Sequence, residues 1–234
     1  TDTLVGMYHP WRDIYAKEYP RGIPYKNFLI TDPVRQQIPW RKLAIDALKK
    51  GQIPAYNPTT FAGSPLAGNI QSGAFYPGNI LFFLFPFPIA WSALIISQTM
   101  GCLFFGFLFL RKLRLSRMSS VFGAVSFAFM GFSISWLTWG TMVSTFMWVP
   151  LILSGIVVFG DHVSVQKKLL WAGITTGAVF SMISAGHSQI ALYGIGVVIL
   201  FALWQSITQK KQSLLLWLLG SLITGLVFAY PILQ

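Results

Sequence analysis

The chain has 234 residues, of which 54% are apolar, 16% aromatic and only 10% charged, against roughly 25% charged in soluble domains. So few charges cannot cover a water-facing surface, which excludes an ordinary soluble enzyme and leaves lipid as the neighbour of most of the exterior. The net charge of +11 does not mark a nucleic-acid binder either, because nine of the seventeen Lys and Arg lie in residues 1–50 and the other eight in three short clusters between apolar runs, not on one soluble face.

The chain starts at Thr1, with no initiator Met and no basic-then-apolar leader, so it is expected to be a piece of a longer polypeptide or a processed one. Residues 1–78 form its hydrophilic part, an extracytoplasmic first-loop region. There, Asp32 stands in Thr31-Asp32-Pro33-Val34-Arg35-Gln36, a predicted turn with Arg35 and Gln36 within reach. A carboxylate near the lipid boundary suits a general base, because desolvation raises its pKa toward working pH. A neighbouring Arg suits a phosphate. An Asp-Pro turn with a surface Arg accounts for the same residues.

From Ile38 to Lys50 the pattern predicts an amphipathic helix, with Pro39 in its first turn and Gly51 at its end. Trp40, Leu43, Ala44, Ala47 and Leu48 fall on one face, with Arg41, Lys42, Asp46, Lys49 and Lys50 elsewhere. Beside a membrane such a helix is expected to lie in the interface, its Lys and Arg near lipid phosphates; the alternative is a helix packed into an outer domain. Residues 51–79 hold five Gly, four Pro and three Asn, and read as a structured loop because Tyr56, Phe61, Leu66, Ile70, Phe75 and Tyr76 supply burial. Asn69, Gln71 and Tyr76 suit sugar hydroxyls and equally suit the backbone of such a loop.

The region 79–234 is expected to be an all-α, polytopic transmembrane bundle. No Asp, Glu, Lys or Arg occurs in 51–110, 118–160, 169–209 or 212–234. A crossing takes ~20 apolar helical residues, so 118–160 and 169–209 read as hairpins turning at Thr138–Thr141 and Ser184–His187. Six spans result, near 87–110, 119–137, 142–160, 169–184, 187–205 and 213–233. The breaks carry Arg111, Lys112, Arg114 and Arg117, then Lys167 and Lys168, then Lys210 and Lys211. Short basic loops stay cytoplasmic, and one orientation satisfies all three, with residues 1–78 and both hairpin turns outside.

Chemistry is scarce. There is no phosphate-binding Gly-rich loop, dinucleotide fingerprint, His-Glu-x-x-His motif or Cys pair; Cys102 is alone in an apolar run. No predicted span carries a charged residue of the kind proton-coupled transport uses. His187 is the one histidine inside an apolar interval, in Ser184-Ala185-Gly186-His187-Ser188-Gln189. It suits donation or acceptance near neutral pH, or a helix end satisfied by backbone carbonyls. It falls on the same side as Asp32.

Three stretches resemble the YfhO-like bacterial membrane proteins of the GT-C glycosyltransferase superfamily. They are Asp32-x-x-x-Gln36 running into Pro39-Trp40; Gly51-Gln52-Ile53-Pro54-Ala55-Tyr56-Asn57-Pro58 with Phe61-Ala62-Gly63-Ser64-Pro65-Leu66 and Asn69-Ile70-Gln71-Ser72-Gly73; and Gly186-His187-Ser188-Gln189. Many relatives have Trp where Tyr56 stands and Pro where Ser188 stands. Relatives are longer, with a span before the first outer loop and more spans after this end.

The resemblance implies that Asp32 is the catalytic position, that the donor is a polyprenyl-phosphate sugar, and that the acceptor is presented outside a bacterial cytoplasmic membrane. Arg35, Gln36, Asn57, Asn69, Gln71, Tyr76, His187 and Gln189 are the expected substrate-binding set. Superfamily members differ in whether they use a divalent metal, and Asp13 is the other carboxylate offered beside Asp32. Expected partners are the lipid-linked donor and membrane lipids, with no nucleic acid; the sequence carries no signal of oligomeric state. The rival reading is a non-catalytic lipid carrier, either a flippase or an assembly partner for envelope polymers.

Overall fold

The computed structural model of the protein describes residues 16–18, 20, 32–60 and 62–233, which leaves Asp13 and Phe61 outside the described part. A π-helical turn, Pro33–Gln37, leads into α1 (Ile38–Lys49). A two-residue antiparallel ladder follows, β1 (Tyr56–Asn57) against β2 (Ser64–Pro65), with Tyr56 opposite Pro65. After two 3-10 turns, Ile70–Ser72 and Pro77–Asn79, the chain is helical: α2 (Ile80–Leu84), α3 (Phe87–Lys112), α4 (Arg117–Ala128), α5 (Gly131–Trp136), α6 (Met142–Phe146), α7 (Val149–Gly160), α8 (Val165–Ser184), α9 (Ser188–Gln209) and α10 (Ser213–Leu233).

The expectation of an all-α membrane bundle holds, and of the six expected spans four or five meet the length and apolarity of a crossing. Four helical stretches are long and apolar enough to cross a bilayer: Phe87–Lys112, Met142–Gly160, Ser188–Gln209 and Ser213–Tyr230. A fifth exists if α4 and Gly131–Trp139, bent by 42° at their junction, count as one broken span. At that break Ser133 Oγ donates back to the Phe127 carbonyl, the kind of repair that lets an interrupted helix sit inside a membrane protein. The sixth, α8, has the length but not the apolarity. It begins at Val165, ahead of Lys167 and Lys168, and buries Thr175, Ser181 and Ser184 against its neighbours.

α7 is the shaft of the bundle. All twelve of its residues are buried, and α3, α8, α9 and α10 pack around it. Pro150 has no N–H to give to the preceding turn, which separates α7 from α6. Ile152, Ile156 and Phe159 meet Val179, Met182, Val198 and Leu214 in the main core. The outer faces expose Ile96, Phe104, Leu192, Leu200, Leu216 and Phe228, as helices bathed in hydrocarbon do.

The bundle has two distinct ends, separated by the 20 residues of α8, or roughly 30 Å at 1.5 Å per residue. The basic breaks meet at one end. Lys112, Arg114, Asp161, His162, Gln209 and Lys211 line one cavity there. Lys211 Nζ donates to the Gly160 carbonyl, and Lys112 lies 5.0 Å from the centre of the Trp171 ring. The other end holds the first-loop region and both turns.

α1 packs its apolar face onto protein, and beyond the expected face Arg41 and Ile45 also turn inward. Arg41, Ala44 and Ile45 are its buried residues. Ile45 joins Tyr76, Phe82 and Trp91 in one cluster with Ile38 and Leu48, while Ala44 joins Leu66 and Ala74 in another with Trp40 and Leu43. Lys42 and Asp46 pair at 2.7 Å on the exposed side.

Candidate functional site

The end opposite the basic breaks is assembled by three short segments. The turn Pro33–Gln37 touches both Ile70–Ser72 and Leu137–Trp139. Gln37 Nε2 donates to Gln71 Oε1 at 3.2 Å, which ties the first segment to the second. Asn69 Oδ1 accepts from the Gln71 N–H at 3.1 Å and so caps the 3-10 turn. The Ser184–His187 turn closes on the same place: Gly186, at φ +110°, lies so near that a Cβ would stand 3.0 Å from the Ile70 carbonyl oxygen and 3.1 Å from Thr141 Cγ2. A left-handed, crowded position of this kind favours glycine.

Asp32 sits half-buried at the head of the π-helical turn. Its carboxylate does not cap that turn. Among the described residues it has no hydrogen-bond or ion-pair partner, so its lone pairs are not spent on structure. Arg35 is exposed and Gln36 half-buried.

His187 is the N-cap of α9, its Nδ1 accepting from the Ile190 N–H at 3.3 Å. That bond needs an unprotonated Nδ1, which leaves Nε2 as the nitrogen for another partner. Burial lowers the pKa of His187 below 6.5. The unfolded chain therefore takes up this proton more readily. The stability tied to the cap is present in full above about pH 6.5 and lost as pH falls through the lowered folded value. His187→Asn, which keeps a capping acceptor, should flatten the decline of melting temperature between about pH 7 and 5; a decline as steep as in the unmodified protein would refute this role.

The remaining expected residues divide. Gln71 and Gln189 are exposed, and Gln189 Nε2 donates to the Tyr193 hydroxyl at 2.8 Å. Asn57 is buried and fully employed: Oδ1 accepts from the Thr59 N–H and hydroxyl, and Nδ2 donates to Thr60 Oγ1. It shapes the loop. Tyr76, expected both to supply burial and to suit a sugar hydroxyl, is buried beside Trp148, Ser144 and Arg41, and burial pushes its phenol up to about 12. Among the described residues no group of three His, Cys, Asp or Glu could hold a metal ion, so these residues do not by themselves make a metal centre.

Below His187 an apolar groove of about 510 Å3 runs down the bundle, within the ~300–1,000 Å3 range of small-molecule sites. Its walls include Gly106 and Leu110 of α3, Gly123 and Phe127 of α4, Phe132, Phe146, and Ile190, Tyr193, Gly194 and Val197 of α9. Three glycines thin the helices along it. Tyr193, one of its lining residues, accepts the hydrogen bond from Gln189.

Two residues escape the sequence reading: Arg41, buried at 1% exposure, and Asn79, buried at 4%. Arg41 Nη1 donates to Asn79 Oδ1 at 2.8 Å, and Asn79 Nδ2 donates to the Gly73 and Ala74 carbonyls at 2.7 and 2.9 Å. The available signal was the stripe Ile38-Arg41-Ile45-Leu48, which sets Arg41 among three aliphatic side chains.

Compared with known proteins, the chain matches no family model, no curated protein and no solved structure. The resemblance to the YfhO-like proteins therefore rests on its own three stretches.

Proposed function

We propose that the protein is an integral membrane glycosyltransferase of YfhO-like, GT-C type that moves a sugar from a polyprenyl-phosphate donor to an acceptor outside a bacterial cytoplasmic membrane. The observation that carries this reading is the meeting of the Pro33–Gln37 turn, which Asp32 heads, with the Asn69–Gln71 and Ser184–His187 turns at one end of the bundle, beside an apolar groove. A polyprenyl-phosphate sugar is built the same way, with a polar head on a long apolar tail. The positive-inside rule puts the opposite, basic end in the cytoplasm.

In this mechanism the donor's tail lies in the groove and its head among Asp32, Gln71, His187 and Gln189. Asp32 takes the proton of an acceptor hydroxyl. The acceptor oxygen then attacks the anomeric carbon, and the bond from that carbon to the phosphate oxygen breaks. The electron pair leaves with the lipid phosphate, where fixed positive charge stabilises it. His187 Nε2 and the Gln189 amide orient sugar hydroxyls. No step is routed through a metal.

The test supplies the full-length protein in proteoliposomes with labelled polyprenyl-phosphate sugar and follows the label. Transfer to a water-soluble or polymer acceptor is expected. Sugar that stays on its lipid and merely changes leaflet would replace this reading with the lipid-carrier one. The groove has its own test in Gly106→Leu. At Gly106 a Cβ meets its nearest neighbours at an ordinary 3.5–3.7 Å, so the first carbon of the new side chain is accommodated. KM for the lipid donor should rise about tenfold, equivalent to about 1.4 kcal/mol, with kcat little changed; an unchanged KM would remove the groove from the site.

A further inference from the structure

Arg41 carries a charge buried at 1% exposure. Nη1 is occupied by Asn79, but Nε and Nη2 are buried with no hydrogen-bond partner. These two nitrogens share one edge of the guanidinium, the edge that meets an oxyanion through two parallel N–H···O bonds. Among the described residues the one ion pair is Lys42–Asp46 on the exposed side of α1, and no carboxylate stands within ion-pair distance of Arg41. A buried cation without a counter-charge is among the costliest groups a fold can hold. Burial pulls its pKa down to about 10, which still leaves it charged at neutral pH.

Its surroundings are built to hold this side chain. Asn79 is anchored by two carbonyls and presents its oxygen to Nη1. Gly73, at φ +56°, lies so close that a Cβ would stand 2.1 Å from Nη2. Gln37, one helical turn earlier, has a buried unpartnered Oε1, and its Nε2 joins this layer to Gln71. The Tyr76 hydroxyl stands nearby, beside Trp148 and Ser144. The layer thus lies next to the segments that gather Asp32 and His187.

We propose that Arg41 is a phosphate receptor, taking one oxygen of a phosphate monoester on Nε and another on Nη2. This deepens the transferase reading, on which it rests only for the source of the phosphate: the headgroup of a polyprenyl phosphate, with inorganic phosphate as the alternative source of the same chemistry. In the transfer reaction Arg41 would meet the negative charge that grows on the departing lipid phosphate. Because Nε and Nη2 are closed off, binding must shift the Gly73 backbone that lies against the guanidinium.

The test follows thermal unfolding of the full-length protein in nanodiscs with undecaprenyl phosphate, with neutral undecaprenol, or with millimolar inorganic phosphate. Undecaprenyl phosphate should raise the melting temperature and undecaprenol should not. Arg41→Gln should bind undecaprenyl phosphate at least about tenfold more weakly, and Arg41→Lys, which keeps the charge but not the fork, should fall between. If Arg41→Gln fails to fold, Arg41→Lys and the phosphate-against-alcohol contrast in the unmodified protein carry the test. A matching shift with inorganic phosphate alone supports the site and identifies the free ion as its ligand. The proposal is overturned if neither phosphate shifts the unmodified protein, or if a folded Arg41 variant binds as tightly as it does. Arg41-dependent binding without any sugar transfer would leave this site standing and end the transferase reading. Normal binding and transfer in Arg41→Gln, with Asp32→Asn inactive, would do the reverse.

Discussion

Replacing Asp32 by Asn should reduce sugar transfer by at least about 100-fold, at the low end of what a positioned general base contributes. The substitution keeps size and removes the basic lone pair. Because the Asp32 carboxylate neither caps its own turn nor pairs with another described residue, the fold has little to lose, and the melting temperature should move by no more than a degree or two. Binding of the lipid-linked donor should survive, since the proton to be removed belongs to the acceptor. Initial rates with labelled donor, measured beside a melting curve, check both halves. Transfer above about a tenth of the unmodified rate would rule out Asp32 as the base.

The largest stability effect is expected at Asn79. Asn79→Leu removes three buried hydrogen bonds at once, one from Arg41 and two to the Gly73 and Ala74 carbonyls. It leaves the guanidinium with no protein partner among the described residues. Losing one buried hydrogen bond from a charged donor and two neutral ones costs about 3–5 kcal/mol, or a fall in melting temperature of roughly 6–20 °C for a chain of this size. The double variant Arg41→Met/Asn79→Leu should recover part of that loss, because it removes the stranded charge along with its partner. If the double variant is less stable than the sum of the single ones, the cost does not come from an uncompensated cation.

The long charge-free intervals led directly to the helical bundle, because a bilayer demands both length and apolarity. Interruptions inside those intervals were not legible in the same way. The break at Phe129–Met130 involves no proline, and its carbonyls find partners only once the chain is folded. In α8 the mixture of Lys, Thr and Ser lowers the apolarity of a helix whose length is ample. The stripe on α1 was legible in part. Of the expected inner face, Trp40, Leu43, Ala44 and Leu48 pack against protein, but that face left Arg41 outside, whereas Arg41 and Ile45 are both buried at 1% exposure. Of the expected site, the turn at Ser184–His187 and the loop at Asn69–Gln71 were readable from their Gly, Asn and Gln residues. Asn57 and Tyr76 were indistinguishable by type from ligand-facing residues, and only tertiary contacts assign them to structure.

Tyr193 and Val197 line the apolar groove and are also 58% and 51% exposed. The slot is therefore side-ported, opening onto hydrocarbon along its flank. A lipid molecule reaches such a port by drifting within its own leaflet, without lifting its tail through water. If the proposed lipid donor uses this port, its occupancy follows its two-dimensional density among all lipids, and short-chain detergent should compete with it in proportion to mole fraction and not bulk concentration.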